Sequence, residues 1–474
     1  MEINFHGATQ TVTGSKHLIT TESGKRILLD CGMYQGMGMD THNLNREWGF
    51  DPASVDAVIL SHAHIDHSGL LPRLVKEGFR GHIYCTHPTR DLCDVMLEDS
   101  AFIQEADMKY VNKRKIRQGK TPIDLLYTIE DVKKCMPHFR GIAYDTETEI
   151  FPGVSFTLTD NGHILGSASV HLKLTETKGV IHLTFTGDIG RYDTSLLKDP
   201  SPFEQSDIII CESTYGDRLH NRIVHAEQDV LNAVINTCKE KKGKLIIPAF
   251  SLGRTQEIVY TLNKLDVYGL IPDIKIYIDS PLSNDATRIM RKHISCLNMQ
   301  VQEFIETRPD PFGFDDVTYI QDVADSKALN AIKEPCIIIS ASGMAEAGRV
   351  KHHIKNNIGD PSNTILLVGY AEPLSLAGRL RAGDKRVKIF GEEHEVKADV
   401  SITDSFSAHA DYQEMLQYLS CQDIPKVHQL FLVHGHEEAM HHWKTRLKNA
   451  GFRRVHIPEH GQGYKFEADR LDVD

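Results

Sequence analysis

Four side chains that commonly bind metal ions are crowded into residues 62–67, which have the sequence HAHIDH. His62 and His64 alternate by two, so on an extended segment both imidazoles point to the same side, whereas Asp66 and His67 fall where the chain turns. Imidazole and carboxylate groups are preferred ligands of zinc, and a catalytic zinc ion keeps one position for water. The spacing therefore indicates one metal at the first pair and a second metal at the other pair.

A two-metal site needs more ligands than this one segment provides. Candidates follow other strand-like runs: His163 in NGHILGSAS, Asp188 in TFTGDIG and His434 in LVHGHEEA. A carboxylate such as that of Asp188 can bridge two metals. Asp30, in LLDCG, also follows an apolar strand, and from there it can hydrogen-bond a ligand imidazole and fix its tautomer.

The pattern of apolar residues predicts how these side chains are positioned. HAHIDH follows VDAVIL, which predicts a buried strand, and precedes SGLLPRLVKEG, which predicts a helix with Ser68 as its N-cap. From about residue 213 to 390, strand, loop and helix repeat, as in GKLIIPAF, SLGRT and QEIVYTLNKL. This repeat predicts a parallel sheet with crossover helices, and such sheets bind ligands at the carboxyl ends of their strands.

Bulk composition excludes some classes of protein. A chain of 474 residues is too long for one hydrophobic core and predicts two or three domains. No apolar run approaches the roughly 20 residues that a membrane span needs. The N-terminus has no export signal, and the nine cysteines include no CxxC pair. We therefore expect a cytoplasmic protein without disulfides and without a membrane partner.

The net charge of −12 argues against a surface that coats nucleic acid by bulk electrostatics. A polyanionic substrate would have to be held by local cations or by metal. Residues 109–120, KYVNKRKIRQGK, carry six Lys or Arg in twelve positions. This segment is either a solvated helix face or a local patch that attracts RNA.

Seven motifs together resemble those of a known family. HAHIDHSG, LLDCG, NGHILGS and TGDIG resemble the motif series of the metallo-β-lactamase superfamily. CESTYGD, FSAHAD and LVHGH resemble the further motifs of its β-CASP nucleases, which include the mRNA 3′-end processing endonuclease subunit and its bacterial and archaeal relatives. The resemblance implies an α/β fold, an αββα sandwich with an inserted β-CASP domain on a mainly parallel sheet. We expect the sandwich over 1–212, the insertion over 213–390 and the return segment of the sandwich over 391–474.

The resemblance also implies two Zn²⁺ per chain. One would bind His62, His64 and His163, the other Asp66, His67 and His434, with Asp188 bridging them. In the family a water or hydroxide between the metals attacks the phosphodiester, because zinc lowers the pKa of bound water to about 7. His409 of FSAHAD matches the proposed general acid, and Glu212 of CEST would hydrogen-bond it and favour its protonated form. Asp66 is counted with these two among the catalytic residues.

The implied activity is hydrolysis of RNA, as an endonuclease, a 5′-exonuclease or both. RNA-directed members carry histidine at the position of His434, whereas DNA-repair members carry an apolar residue there. The alternatives are a DNA nuclease of the same superfamily, a small-molecule metallo-hydrolase, and an inactive scaffold, which the complete ligand set disfavours. The implied partners are the RNA substrate, a second copy in a homodimer, and RNA-processing proteins.

Five residues of the insertion match positions that contact phosphates in relatives: Arg254, Ser342, Gly343, Arg349 and Arg379. Backbone amides at a helix start and arginine side chains are suited to holding phosphate. The run GYAEPLSLAGR departs from the GYQAxGTxGR run that relatives usually carry. We therefore expect a differently shaped substrate groove near Arg379.

Overall fold

The computed structural model describes residues 1–36, 40–220, 226–369, 371–403, 407–469 and 471, without the side chain of Tyr110. The chain forms two compact units. The first unit comprises Met1–Tyr192, Asp199–Leu219 and His409–Asp474, and the inserted unit comprises Asp193–Lys198 and His220–Ala408. The inserted unit thus interrupts the first unit in sequence.

Within the described residues, the first unit contains two seven-stranded sheets. The strands of its first sheet are β1 (Glu2–Phe5), β2 (His17–Thr20), β3 (Arg26–Leu29), β4 (Ala57–Ile59), β5 (His82–Thr86), β6 (Phe139–Ile142) and β22 (Gly463–Lys465). Their order is β22-β1-β2-β3-β4-β5-β6. The strands of its second sheet are β7 (Thr148–Phe151), β8 (Val154–Asp160), β9 (Ala168–Glu176), β10 (Gly179–Phe185), β11 (Ile208–Cys211), β20 (Gln429–Leu432) and β21 (Val455–His456). Their order is β21-β20-β11-β10-β9-β8-β7.

The two sheets share one hydrophobic core. Ile27 and Ile59 of the first sheet belong to the same buried cluster as Phe156, Phe185 and Phe431 of the second. Alternate residues of such strands face the core, so each sheet needs a helical cover on its other face. The helices of this unit are α1 (Thr41–Leu44), α2 (Ile65–Ser68), α3 (Leu71–Lys76), α4 (His87–Arg117), α5 (Ile129–Cys135), α13 (Tyr412–Leu419) and α14 (Glu437–Asn449).

These helices complete the layers. α4 packs on β5 and β6 and against α5, which in turn packs against α3. On the second sheet, Met415 of α13 and Trp443 of α14 are buried with Ile209 of β11. The arrangement confirms the predicted αββα sandwich. Among the described helices, none combines the length and apolar composition that a membrane-spanning segment requires.

The inserted unit is built on a six-stranded sheet whose described pairs are all parallel. Its strands are β12 (Leu245–Pro248), β13 (Lys275–Ile278), β14 (Val317–Tyr319), β15 (Cys336–Ser340), β16 (Thr364–Val368) and β19 (Asp399–Thr403), in the order β14-β13-β15-β12-β16-β19. Its helices are α6 (Ala226–Val234), α7 (Arg254–Val267), α8 (Pro281–Lys292), α9 (Met299–Thr307), α10 (Val323–Ala328), α11 (Val350–Asn357) and α12 (Leu376–Arg381). A hairpin of β17 (Arg386–Ile389) and β18 (Glu392–Glu395) follows. The mainly parallel sheet predicted for the insertion is confirmed.

Two local features differ from the sequence-based expectation. The strand β19 pairs with β16, so the chain stays in the inserted unit up to Ala408, whereas the sequence placed the return segment from residue 391. The helix expected from SGLLPRLVKEG is α3, which begins at Leu71, and a separate single-turn helix, α2, begins inside the HAHIDH motif at Ile65. Ser68 is therefore not an N-cap, and its hydroxyl donates to the carbonyl oxygens of Ala63 and His64.

Candidate metal centre and active site

The histidine-rich motif lies where β4 ends and α2 begins. His62 and His64 precede the helix, while Asp66 and His67 lie on its single turn. The segment that follows β3 approaches this turn closely. A Cβ atom on Gly32 would lie only 1.6 Å from the Asp66 carbonyl oxygen. Glycine at this position therefore permits the close approach that the turn requires.

The remaining candidates follow strands of the second sheet. His163 comes after β8, Asp188 after β10, Glu212 after β11 and His434 after β20. Because β10, β11 and β20 are neighbouring parallel strands, the residues that follow them emerge at one edge of the sheet. His434 has a left-handed backbone (φ 51°), and its N–H donates to the Ala8 carbonyl at 2.7 Å.

Four side chains form the first potential metal site: His62, His64, His163 and Asp188. His64 Nδ1 lies 3.1 Å from His62 Nε2 and 3.2 Å from His163 Nε2. Asp188 Oδ2 lies 3.5 Å from the Nε2 atoms of both His62 and His163. Ligand atoms around a tetrahedral zinc ion, with bonds of about 2.0–2.1 Å, are roughly 3.3–3.4 Å apart. The donor set therefore fits an ion of this size.

The second potential site contains Asp66, His67 and His434. His434 Nε2 lies 3.4 Å from Asp66 Oδ2, and His67 Nε2 lies 3.3 Å from Asp188 Oδ1. His67 Nε2 and Asp188 Oδ1 are buried and make no hydrogen bond with any described residue. Buried polar atoms rarely lack a partner, and a metal ion would satisfy both. The two carboxylate oxygens of Asp188 thus face two different groups of ligands.

Neighbouring side chains orient the imidazoles of His62 and His67, which follow β4 of the first sheet. Asp30 Oδ2 accepts a hydrogen bond from His67 Nδ1 at 2.6 Å and another from Ser61 Oγ at 3.0 Å. Because the Ser61 hydroxyl donates to Asp30, it accepts from His62 Nδ1, also at 3.0 Å. Because Nδ1 of both imidazoles is engaged in these hydrogen bonds, Nε2 is the atom of each ring that a metal could bind.

The same arrangement holds His434. The Thr214 hydroxyl donates to the His434 carbonyl oxygen at 3.1 Å and accepts from His434 Nδ1 at 3.1 Å. The Nε2 atom of His434 is then free to face Asp66. Ser61 and Thr214 were not singled out from the sequence, although each lies within two residues of a predicted site residue.

Burial and the carboxylates of the site have opposite effects on the protonation of its histidines. Burial, together with neighbouring imidazoles, holds the pKa of His62 and of His163 well below the usual value, so both are neutral ligands. For His67, burial lowers the pKa, but the Asp188 and Asp30 carboxylates raise it well above the usual value. Burial raises the pKa of Asp66, yet the neighbouring His434, His67 and His64 side chains lower it to about 2. A cation between these carboxylates is therefore stabilised.

His409 and Glu212 form an ion pair beside the potential metal sites. His409 Nδ1 donates to Glu212 Oε2 at 3.2 Å, and the fully buried Glu212 also accepts from the Ile189 N–H. Burial lowers the pKa of His409, but Glu212, followed by Asp188 and Asp66, raises it to about 9. The His409 ring centroid lies 4.5 Å from that of His163. His409 is thus a protonated group next to the metal ligands.

The five predicted phosphate contacts lie in loops and helix starts that follow parallel strands of the inserted unit. Arg254 follows β12, Ser342 and Gly343 follow β15, Arg349 immediately precedes α11, and Arg379 lies on α12 after β16. Because these strands are neighbours and parallel, the five residues come to the same edge of the sheet.

Each of the three arginines already contacts a carboxylate of its own unit. Arg349 Nη1 donates to Asp279 at 2.7 Å, Arg379 Nε to Asp384 at 2.9 Å, and Arg254 to Glu257. Asp279 is fully buried and also accepts from His353 and Ser326. Asp279 was missed in the sequence, although IYIDS ends an apolar strand with aspartate just as LLD does at Asp30.

Comparison with family models defines the class of protein. The model of the metallo-β-lactamase superfamily matches residues 14–249, and the Beta-Casp domain model matches residues 255–380. The model of the Zn-dependent metallo-hydrolase RNA specificity domain matches residues 393–458. With the sandwich fold and the His/Asp groups, these matches define a metal-dependent hydrolase.

Relatives that match over more than nine tenths of this chain indicate its branch of the superfamily. A ribonuclease of Thermus thermophilus is 34% identical over 441 residues, which cover 93% of this chain and 94% of the relative. An RNase J-like protein of Methanocaldococcus jannaschii is 33% identical over 94% of this chain and 96% of its own length. The transcription termination factor FttA of Methanosarcina mazei is 32% identical over 91% of this chain and 66% of its own length. The chain belongs to the metallo-β-lactamase superfamily, in its β-CASP branch, which confirms the resemblance predicted from the motifs.

Proposed function

We propose that this chain is a zinc-dependent ribonuclease that hydrolyses RNA phosphodiester bonds in RNA processing or decay. The observation that carries the proposal is the position of Asp188: its Oδ2 lies 3.5 Å from His62 Nε2 and His163 Nε2, and its Oδ1 lies 3.3 Å from His67 Nε2 of the other His/Asp group. A protonated histidine, His409, stands beside both groups. This combination supplies what two-metal hydrolysis of a phosphodiester needs from the protein.

The ligands favour zinc over magnesium. One group offers three imidazole nitrogens, His62, His64 and His163, and the other offers His67 and His434 with Asp66. Magnesium prefers oxygen ligands, whereas imidazole suits zinc. Two bound zinc ions would activate a water molecule and offset negative charge on the phosphoryl oxygens.

His409 supplies the proton in this mechanism. Its Nδ1 proton is donated to Glu212, so its Nε2–H would be the group that protonates the leaving 3′-oxygen. The products are a 5′-phosphate and a 3′-hydroxyl. Because Glu212 also accepts from the Ile189 N–H, its carboxylate holds the imidazole in one orientation.

Three observations support RNA as the substrate. Two relatives are named ribonuclease and RNase J-like, and the model matched by residues 393–458 is an RNA specificity domain. The inserted unit places arginines and serine at one edge of its parallel sheet, where such folds bind ligands. A DNA nuclease or a small-molecule hydrolase accounts for the metal ligands but not for this RNA-associated match.

The test is cleavage by purified protein whose zinc content has been measured. Matched RNA and DNA oligonucleotides, and 5′-monophosphate, 5′-triphosphate and circular RNAs, are incubated with and without a chelator. We expect about two zinc ions per chain, chelator-sensitive cleavage of RNA, and little cleavage of DNA. Cleavage of circular RNA would define an endonuclease. A preparation with two zinc ions that cleaves only DNA, or neither nucleic acid, would contradict the proposal.

A further inference from the structure

The long helix α4 changes the sign of its charge along its length. Residues 87–108 contain six Asp or Glu and one Arg, whereas residues 109–117 contain five Lys or Arg and no acidic residue. Lys120 follows just after the helix. In a chain of net charge −12, this end of α4 is strongly positive locally.

Five of the six cations at and just after this end of α4 are exposed, and Lys115 is partly buried. Lys109, Lys113, Arg114, Arg117 and Lys120, here called the basic ridge, are all exposed. None of them makes an ion pair or a side-chain hydrogen bond with a described residue. In contrast, the side chains of Arg254, Arg349 and Arg379 in the inserted unit all contact carboxylates.

Asn112, which lies beside these cations on the helix, is bonded to the chain that follows α4. Asn112 Nδ2 donates to the Ile123 carbonyl at 2.9 Å, and the Ile123 N–H donates to Asn112 Oδ1 at 2.8 Å. These bonds join the returning chain to the helix. The basic ridge is thus presented on a fixed scaffold.

The helix dipole does not account for the whole ridge. Cations in the last helical turn are stabilised by the partial negative charge there, which explains Arg114 and Arg117. Lys109 and Lys113 precede the last turn of α4, so they lie beyond the range of this effect. Lys109, Lys113 and Arg117 follow one another at intervals of four residues, so they form one line with steps of about 6 Å. This spacing is close to that of successive phosphates along an RNA strand.

We propose that the basic ridge binds the phosphate backbone of the RNA substrate, away from the residues that carry the chemistry. The inference rests on the proposed function, which makes the substrate a polyanion. Contacts from lysine and arginine to phosphates are independent of base sequence and release counterions. An acidic protein surface is the other occupant that such cations would fit, and it is an outcome of the test.

The test compares two triple variants of the zinc-loaded protein. The ridge variant is Lys109→Gln/Lys113→Gln/Arg117→Gln. The control, Lys239→Gln/Lys388→Gln/Lys448→Gln, removes the same charge from exposed lysines elsewhere. With a long single-stranded RNA, we expect the ridge variant to raise KM roughly tenfold and to reduce the slope of log KM against log salt by about 2, since each lost contact contributes about 0.7. Its kcat and its KM for a short oligonucleotide should match the control.

The outcomes separate this inference from the proposed function. If the wild type cleaves RNA and the ridge variant shows the KM and salt slope of the control, the ridge does not bind RNA, and an acidic protein surface remains as its occupant. If the wild type binds RNA but does not cleave it, the proposed function fails, while weaker binding by the ridge variant would still support the ridge. Thermal unfolding checks that the variant is folded. Should the triple variant unfold, Arg114→Gln/Lys120→Gln tests the same surface.

Discussion

The candidate metal centre of the first unit and the arginine loops of the inserted unit, which carry Arg254, Arg349 and Arg379, differ in whether their polar side chains have partners. In the first unit, His67 Nε2 and Asp188 Oδ1 are buried and have no hydrogen-bond partner among the described residues. In the inserted unit, Arg349 and Arg379 are already paired with Asp279 and Asp384. In the first region a bound cation would satisfy these two atoms, whereas the two arginines of the second region already have carboxylate partners.

This difference indicates how the two regions contribute to activity. A site with orphaned buried atoms depends on its ligand for both structure and chemistry. Side chains that already have partners gain less from a substrate, because each new contact competes with an existing ion pair. We therefore expect substitutions in the first unit to abolish turnover and substitutions in the arginine loops to change mainly KM.

The largest effect is expected for Asp188→Ala. This change removes the carboxylate shared by both groups, so zinc content should fall well below two per chain and turnover by about 1,000-fold or more. Elemental analysis and single-turnover cleavage measure the two effects. The exposed Asp273→Ala variant serves as the control. An Asp188→Ala protein that keeps two zinc ions would show that Asp188 does not bridge them.

His409→Ala should separate chemistry from metal binding. We expect zinc content to stay near two per chain while kcat falls roughly 100-fold or more, the usual scale for loss of a general acid. Zinc analysis and kcat are measured on the same preparation. Unchanged turnover would mean that another group protonates the leaving oxygen.

Glu212→Gln should change the pH profile. His409 donates a proton only while protonated, and its pKa of about 9 requires the Glu212 carboxylate. Activity should therefore be present below the pKa of His409 and lost as the pH rises through it, and bound cations move this limb to somewhat lower pH. Without the carboxylate the limb should move further down, with about a tenfold loss of kcat in alkaline solution. An identical profile in both proteins would exclude His409 as the titrating acid.

The smallest effects are expected in the arginine loops. Arg349→Ala should raise KM for RNA by about tenfold, since charge-assisted hydrogen bonds contribute about 1.5–3 kcal/mol. Arg379→Ala should raise it by roughly threefold or less, because Arg379 forms an exposed ion pair on a short helix. KM and kcat are measured for both variants with zinc content as a control. Equal loss of kcat in either variant would place that arginine in the chemical step.

Local patterns in the sequence predicted the parallel sheet of the insertion and the candidate metal ligands, whereas the αββα sandwich and the roles of Glu212 and His409 were implied only by the family resemblance. Strand-end motifs such as HAHIDH and TGDIG are read directly, and the parallel sheet follows from apolar runs that alternate with helices. The single-turn helix α2, which begins at Ile65, was not predicted. Its N-cap residue, His64, makes no capping hydrogen bond with its side chain, so the motif carries no capping signal. The pairing of β19 with β16, and the contacts made by Ser61, Thr214 and Asp279, depend on tertiary structure. A single sequence has no local signal for these pairings, although IYIDS marks Asp279 itself as a carboxylate at a strand end.

The bond between Glu212 and His409 joins two points that are nearly two hundred residues apart in the chain. The Ala410 N–H also donates to the Ile189 carbonyl at 2.8 Å, so the loop after β10 that carries Asp188 is bonded to the segment returning from the insertion. Everything from His220 to Ala408 is therefore a loop whose two ends are fastened together at their base. Such a loop can be lengthened, shortened or exchanged between relatives by recombination while the proton donor and its acidic neighbour keep their register.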